Sequence, residues 1–343
     1  MPPRIAFVAA SSVVPRLDCE AGVDRLRAAG FKATVHPQCF ETHFTYAGAD
    51  QQRAAALWQV ANDDEVDMVW LARGGYGAAR LLPLLDDLTK HHGPPHRRKL
   101  LVGYSDVTVL HEYARTRWRW PTLHAPMPSA GNFGTYDQSH WRALLDLMQG
   151  KHPGDVWGER PLKWLNAPPP PSPLAASREG VTEGSFEPPA LTPRGAVEAE
   201  LVGGNLALWS SVVGTPYAPT PAKGRILFLE DIGEKYYRID RMLTQIRQAG
   251  LLDDAVAIVL GDFTNCDDDA PQLVRGPNDT RIPLRPQYTF DHALKETFAP
   301  LPIPVATGLP VGHGPNFAPL PLGATYRLTP DGAINLLEWD WLR

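Results

Sequence analysis

The sequence predicts an α/β fold whose first half is a parallel, doubly wound sheet. Three observations carry this. Short, nearly all-apolar runs recur through the first ~150 residues, each the length of a strand buried on both faces. Amphipathic helical stretches separate them. Glycine-rich or polar turns follow several of the runs.

In order, Ile5–Ala10 reads as a strand, and Glu20–Ala29 as a helix with Ala21, Val23, Leu26 and Ala29 apolar and Gly30 as its stop. Met1–Arg4 followed by Ile5–Val14 also has the outline of a short signal peptide, but one arginine and a semi-polar run favour the strand. Phe31–His36 is a second strand, and Ala49–Ala61 a helix opened by Asp50. Asp67–Ala72 is a buried strand, followed by Arg73–Gly77 and a helix to about Leu85. Lys99–Gly103 is another buried strand, followed by a helix from Val107 to about Arg117. Trp141–Gln149 completes this half, a domain over 1–150.

Residues 151–193 read as a linker or arm, with five prolines in Ala167–Pro173 alone. A second, smaller α/β or α+β domain is expected over 194–343. Its strands are Glu198–Val202, Arg225–Leu229, Ala255–Leu260 and Ala324–Leu328, and its helices Leu206–Val213 and Tyr237–Gln248. Asn265–Gln287 is polar, acidic and proline-rich, and reads as a surface loop.

The chain's 343 residues suit two domains. With 43% hydrophobic and 21% charged residues it can bury a full core, which excludes a wholly disordered chain. A net charge of -5 offers no basic excess to attract nucleic acid or anionic lipid. No run reaches the ~18 apolar residues that span a bilayer. Cys19, Cys39 and Cys266 are odd in number and widely spaced, which argues against a disulfide framework or zinc site and suits a reducing compartment.

Gly103-Tyr104-Ser105-Asp106 stands where an apolar strand gives way to a helix. A sharp turn there lifts a serine above the sheet, beside backbone N–H groups at a helix start. The hydrolase elbow reads G-x-S-x-G, whereas Val107 holds the last position here, so Ser105 or Asp106 acting only as a helix cap stays open. Arg73-Gly-Gly-Tyr-Gly77 follows another buried strand and fits neither Walker A nor G-x-G-x-x-G. It is either a tight turn or a second donor-rich strand end that shares an oxyanion hole with the Asp106 N–H through the Gly75 region.

A nucleophilic serine needs a base and an orienting acid. His91, His92 and His96 lie in a polar, basic loop without the spacing of a metal site. His124 is placed to line a cleft, and His313 stands in a loop shaped by Gly308, Pro310, Gly312 and Gly314. Glu230, Asp231 and Glu234 cluster at the end of the strand Ile226–Leu229, where any of them could orient a histidine or simply face the next helix. Asp267–Asp269 lack the alternation of an EF-hand loop and read as solvated.

Six segments in order resemble the LD-carboxypeptidase family of serine peptidases, which includes muramoyltetrapeptide carboxypeptidases and microcin C immunity-type amidases. They are Ala47–Asp50 with Arg53, Arg73–Gly77, Gly103–Asp106, Gly203–Leu206 with Gly214-Thr215, Leu229–Glu234 with Tyr237-Arg238 and Asp240-Arg241, and Gly308–Pro310 with Gly312-His313. The resemblance implies a Rossmann-like N-terminal nucleophile domain, a C-terminal domain and an active site between them. It implies a catalytic triad of Ser105, Glu230 and His313, with oxyanion donors at the Asp106 and Gly75 N–H groups. It further implies a homodimer with no metal and no cofactor.

The expected activity is cytoplasmic hydrolysis of the terminal D-alanine from a cell-wall-derived tetrapeptide, a small muropeptide substrate, during peptidoglycan recycling. Arg73 is a candidate to bind the substrate carboxylate, since a guanidinium can do so bidentately. Tyr76 and Tyr104 are the other substrate-binding candidates. An amidase acting on peptidyl- or aminoacyl-nucleotides is the alternative, with Trp157 and Trp164 as a platform for the base. A non-catalytic two-domain binding protein is the alternative of a different class.

Overall fold

A computed structural model describes residues 2–129, 133, 136–154, 156–157, 161–165, 195–266, 273–283, 288–315, 317–339 and 341–342. The arm expected at 167–193 and the run Asp267–Asp269 lie outside these residues.

The first half builds a sheet from β1 (Arg4–Val8), β2 (Lys32–Val35), β3 (Met68–Leu71), β4 (Leu100–Gly103) and β5 (Thr122–His124), ordered β2-β1-β3-β4-β5 and parallel throughout. Every residue of β3 and β4 is buried, as a parallel sheet with both faces covered requires. The helices are α1 (Arg16–Ala28), α2 (Asp50–Ala61), α3 (Leu82–His92), α4 (Thr108–Tyr113) and α5 (Gln138–Met148).

Several boundaries differ from the sequence reading, and two of the helical ones have a plain physical reason. Helix α1 begins at Arg16 rather than Glu20: Pro15 precedes its first turn, Asp18 lies in that turn, Arg25 and Arg27 lie in the last, and Cys19 adds to the buried stripe. Helix α3 runs on to His92, so His91 and His92 are the basic last turn of a helix ended by Gly93, not loop residues.

The second half builds another sheet. Its strands are β6 (Lys163–Trp164), β7 (Val197–Asn205), β8 (Ile226–Ile232), β9 (Ala257–Thr264), β12 (Val305–Thr307), β14 (Thr325–Leu328) and β15 (Ile334–Glu338). The order is β15-β14-β7-β8-β9-β12-β6, parallel from β7 to β12 and antiparallel at both edges. Helices α6 (Leu206–Ser211), α7 (Tyr236–Gln248) and α8 (Phe290–Phe298) complete it.

Within the expected surface loop 265–287, β10 (Leu273–Arg275) and β11 (Arg281–Pro283) form an antiparallel hairpin. Its turn places Asn278 and Asp279 at positive φ, which short polar side chains tolerate. The remaining strand, β13 (Leu320–Leu322), leaves the second half and pairs antiparallel with β5. The linear division into 1–150 and 194–343 does not contain that exchange.

Alternation along β8 joins the halves. Ile226 and Phe228 point into the apolar cluster that also holds β3, β4 and Phe317. Leu227 and Leu229 point the other way, into the cluster under Ile239, Leu243 and Ile246 of α7. Glu230 is next on the face turned towards the first sheet.

Candidate active site

Strand β4 stops at Gly103, Tyr104 is extended, and Ser105 takes φ +64° at the start of a 3₁₀ turn leading into α4. A non-glycine residue in that region costs roughly 1–2 kcal/mol. Such strain persists only where the surroundings impose it, and it clusters at functional sites. Val107, in place of the hydrolase motif's second glycine, is fully buried and its N–H donates to the Tyr104 carbonyl at 3.3 Å.

The Asp106 carboxylate is buried in the structure of the turn. Its Oδ2 accepts the Ala78 N–H at 2.8 Å, which ties the elbow to the Arg73–Gly77 turn. Burial pushes the Asp106 carboxyl above its usual range, against the pull of hydrogen bonds and of Arg53.

The glycine turn lies directly against the serine: a Cβ on Gly74 would sit 3.4 Å from Ser105 Oγ. Beside it, Gly75 is exposed, and the Tyr76 N–H donates to Ser12 Oγ at 3.2 Å. Arg53 braces this turn from below. Its guanidinium is fully buried and donates to the carbonyls of Gly48 (3.2 Å), Gly77 (3.0 Å) and Ala10, and it pairs with Asp50. A buried charge persists only when paired and hydrogen-bonded, as this one is.

The other side of the cleft comes from the second half. His313 Nδ1–H donates to Glu230 Oε2 at 2.7 Å. The His313 ring packs 4.8 Å from the ring of Tyr104, the residue before Ser105. Burial alone would lower the His313 pKa, but Glu230, through charge and hydrogen bond, outweighs it, with Asp231 and Asp262 adding to the upward shift. Glu230 is fully buried.

The glycine before the histidine has a physical reason. Gly312 sits at φ +135°, and a Cβ there would fall 2.8 Å from Glu230 Oε2. On the other flank, β8 and β9 slip register between Leu229 and Asp231, so Gly261 and Asp262 both stand opposite Glu230.

The three candidate carboxylates now separate. Asp231 is occupied by the Asn205 side-chain amide (3.1 Å) and the Ala207 N–H (2.8 Å) at the start of α6. Its pKa is pushed up to about 6 by burial and then by Glu230. Glu234 faces Arg238 at 3.4 Å. Glu230 alone of the three touches His313.

Among the substrate-binding candidates, Tyr76 is exposed and near Tyr46. Tyr104 is buried against His313 and Phe317, its hydroxyl pushed up to about 12 by burial and then by Glu230. Arg73 donates to the Val13 carbonyl at 2.5 Å. Of the tryptophans considered as a base platform, Trp157 is buried and Trp164 half-buried. Trp157 is buried on Tyr326 with its N–H on the Pro319 carbonyl, and the Trp164 N–H is on the Pro330 carbonyl.

Sequence reasoning missed Asp262, whose pKa burial and Glu230 push up to about 6. Its signal was a Gly-Asp directly after the apolar run Ala255–Leu260, a run that the structure continues as β9 to Thr264. It also gave Arg53 no physical role, since a lone arginine on a helix looks solvated.

Two sheets with parallel centres meet here, one ending on a strained serine and the other on a buried carboxylate–histidine pair. That arrangement defines a two-domain α/β protein of hydrolase type. Residues 5–125 match the LD-carboxypeptidase N-terminal domain, and residues 198–328 the LD-carboxypeptidase C-terminal domain. The chain belongs to the LD-carboxypeptidase family, and it is a peptidase.

It is 31% identical over 290 residues to the probable murein peptide carboxypeptidase of Bacillus subtilis, spanning 82% of this chain and 75% of that one. The muramoyltetrapeptide carboxypeptidase structure from Oxalobacter formigenes is 28% identical with TM-score 0.70, covering 98% of this chain and 99% of its own. The microcin C7 self-immunity protein of Escherichia coli is more distant, 24% identical over 88% of this chain and 82% of its own.

Proposed function

We propose that this peptidase is a serine LD-carboxypeptidase that removes the terminal D-alanine from cell-wall-derived tetrapeptides. The observation that carries the reading is the 2.7 Å bond from His313 to Glu230, with the His313 ring packed on Tyr104, the residue that precedes a strained Ser105.

Glu230 fixes the His313 ring so that Nδ1 carries its proton and Nε2 is the base. His313 Nε2 takes the Ser105 hydroxyl proton as Oγ attacks the amide carbonyl carbon. The oxyanion forms against the N–H groups of Asp106 and Gly75. His313 then returns the proton to the D-alanine nitrogen as the C–N bond breaks, leaving an acyl-serine. Water, deprotonated by His313, attacks that ester and frees Ser105. Arg73, Tyr76 and Tyr104 are the proposed substrate-binding residues.

Three cysteines held as buried free thiols suit a cytoplasmic setting. A homodimer and a role in peptidoglycan recycling follow from the family reading. The nucleotide-conjugate amidase is the alternative reading: of the tryptophans offered as its base platform, Trp157 is buried, whereas Trp164 is only half-buried.

The test is D-alanine release from a purified tetrapeptide muropeptide, with EDTA present. Wild type should release it and Ser105→Ala should not. No release by folded wild type would overturn the assignment.

A further inference from the structure

His124 takes no part in the chemistry above, yet it sits in its centre. It ends β5, opposite Gly103 of the elbow strand, and is fully buried. Aromatic rings hold it on three sides: Tyr104 at 5.9 Å, Phe228 at 5.5 Å and Phe317 at 5.4 Å. Among the described residues, neither of its ring nitrogens has a hydrogen-bond partner. Its Nε2 stands 4.0 Å from Glu230 Oε1, which is likewise buried and, among the described residues, without a partner.

Buried polar atoms are almost always paired, so two orphans facing each other require an account. A histidine serving only to fill an aromatic cage carries the cost of two unpaired nitrogens for nothing, where phenylalanine would carry none.

We propose that His124 is a positioning residue whose Nε2–H donates to Glu230 Oε1. The carboxylate is then held between two histidines, one from each half of the chain, and presents Oε2 to His313 in a single orientation. The catalytic meaning of this rests on the Ser105, His313 and Glu230 reading above.

The groups around His124 support this direction of donation. Burial, then His111 and His313, hold its pKa well below the ordinary value, so the ring is neutral with one N–H to place. His111 cannot replace it, because the His111 Nε2–H is committed to the Gly103 carbonyl at 2.9 Å. A lone pair on Nε2 would repel Oε1, whereas an N–H there is attracted to the buried charge. The 4.0 Å separation exceeds a formed bond. Catalytic hydrogen bonds are often long before substrate seats and tighten in the complex.

His124→Phe tests the proposal, because it keeps a ring in the cage and deletes the donor. The expected result is a kcat on the order of tenfold lower with KM nearly unchanged. The acid limb of kcat/KM should move to higher pH, since a carboxylate without its second donor holds the His313 proton more tightly. His124→Gln, which restores an N–H, should recover part of both. Unchanged kcat and limb, or a lower kcat with an unmoved limb and no rescue by Gln, would overturn it.

A histidine ¹⁵N measurement on the wild type decides the matter even where the variants fold poorly or no D-alanine is released. His124 should be the neutral Nε2–H tautomer, with a resonance that shifts in Glu230→Gln. An Nδ1–H tautomer would sink the idea whatever the enzyme's substrate.

Discussion

The two strand ends that face each other across the cleft are built by opposite means. At the end of β4, backbone sets the geometry: Ser105 is aimed by its own φ and by the turn through Val107, all within five residues. At the end of β8, side chains and distant loops set it: Glu230 meets a histidine 83 positions away, in space left by Gly312. The first end is a rigid local device. The second is an assembly that exists only when the C-terminal half is folded, since β8 and the His313 loop must come together. A serine that must attack gains from a fixed backbone, whereas a carboxylate that must only orient a ring can be supplied over a distance.

The most direct way to break this comparison is at the pair itself. Glu230→Gln keeps the shape but leaves His313 without an anion and free to adopt the other tautomer. A loss in kcat on the order of 10⁴-fold is expected, less than for loss of the nucleophile. Steady-state kinetics on the tetrapeptide, with circular dichroism to confirm folding, would check it. A loss below about tenfold would mean that Glu230 does not orient the base.

Gly312→Ala sharpens the same contrast from the loop side. The new Cβ would crowd Glu230 Oε2 at 2.8 Å and occupy a φ of +135°. We expect about 10²-fold lower kcat, since a misplacement of roughly 1 Å has that effect. Gly308→Ala is the matched control. It also changes a positive-φ glycine in the same loop, but among the described residues no atom beyond its chain neighbours lies within 4 Å of its Cβ position. Equal losses in the two variants would show that backbone strain, not crowding of the carboxylate, is responsible.

The same contrast explains what could be read from the sequence. The parallel first sheet was legible because buried strands such as Met-Val-Trp-Leu and Leu-Leu-Val-Gly carry their own signal. The elbow was legible because it is local. Residue chemistry alone could not separate Glu230 from Asp231 and Glu234, because the distinction is made by partners: Asn205 and the start of α6 take Asp231, and Arg238 takes Glu234. The motif match pointed to Glu230, and only the fold supplies the reason. The return of β13 to the first sheet and the hairpin of β10 with β11 were illegible for a similar reason. Three-residue strands carry too little periodicity to stand out from proline-rich sequence. Arg53 was recognised as part of a pattern, but its role depends on three loop carbonyls that converge only in the fold.

The smallest expected effect is also the one that tests the electrostatics of the second strand end alone. His313 must be neutral to accept the serine proton, so kcat/KM should fall as pH drops through its pKa. Burial lowers that pKa, but Glu230 raises it by more, aided by Asp231 and Asp262, so the net shift is upward. The acid limb of the wild-type profile should therefore lie above the ordinary histidine value of about 6.5. Removing the charge of Asp262 with Asp262→Asn takes away one of the lesser raising influences and leaves the His313–Glu230 bond in place. The limb should move down by a fraction of a pH unit, with the rate on the plateau within about twofold of wild type. An unmoved limb would mean that Asp262 is protonated across the working range and lends His313 no charge.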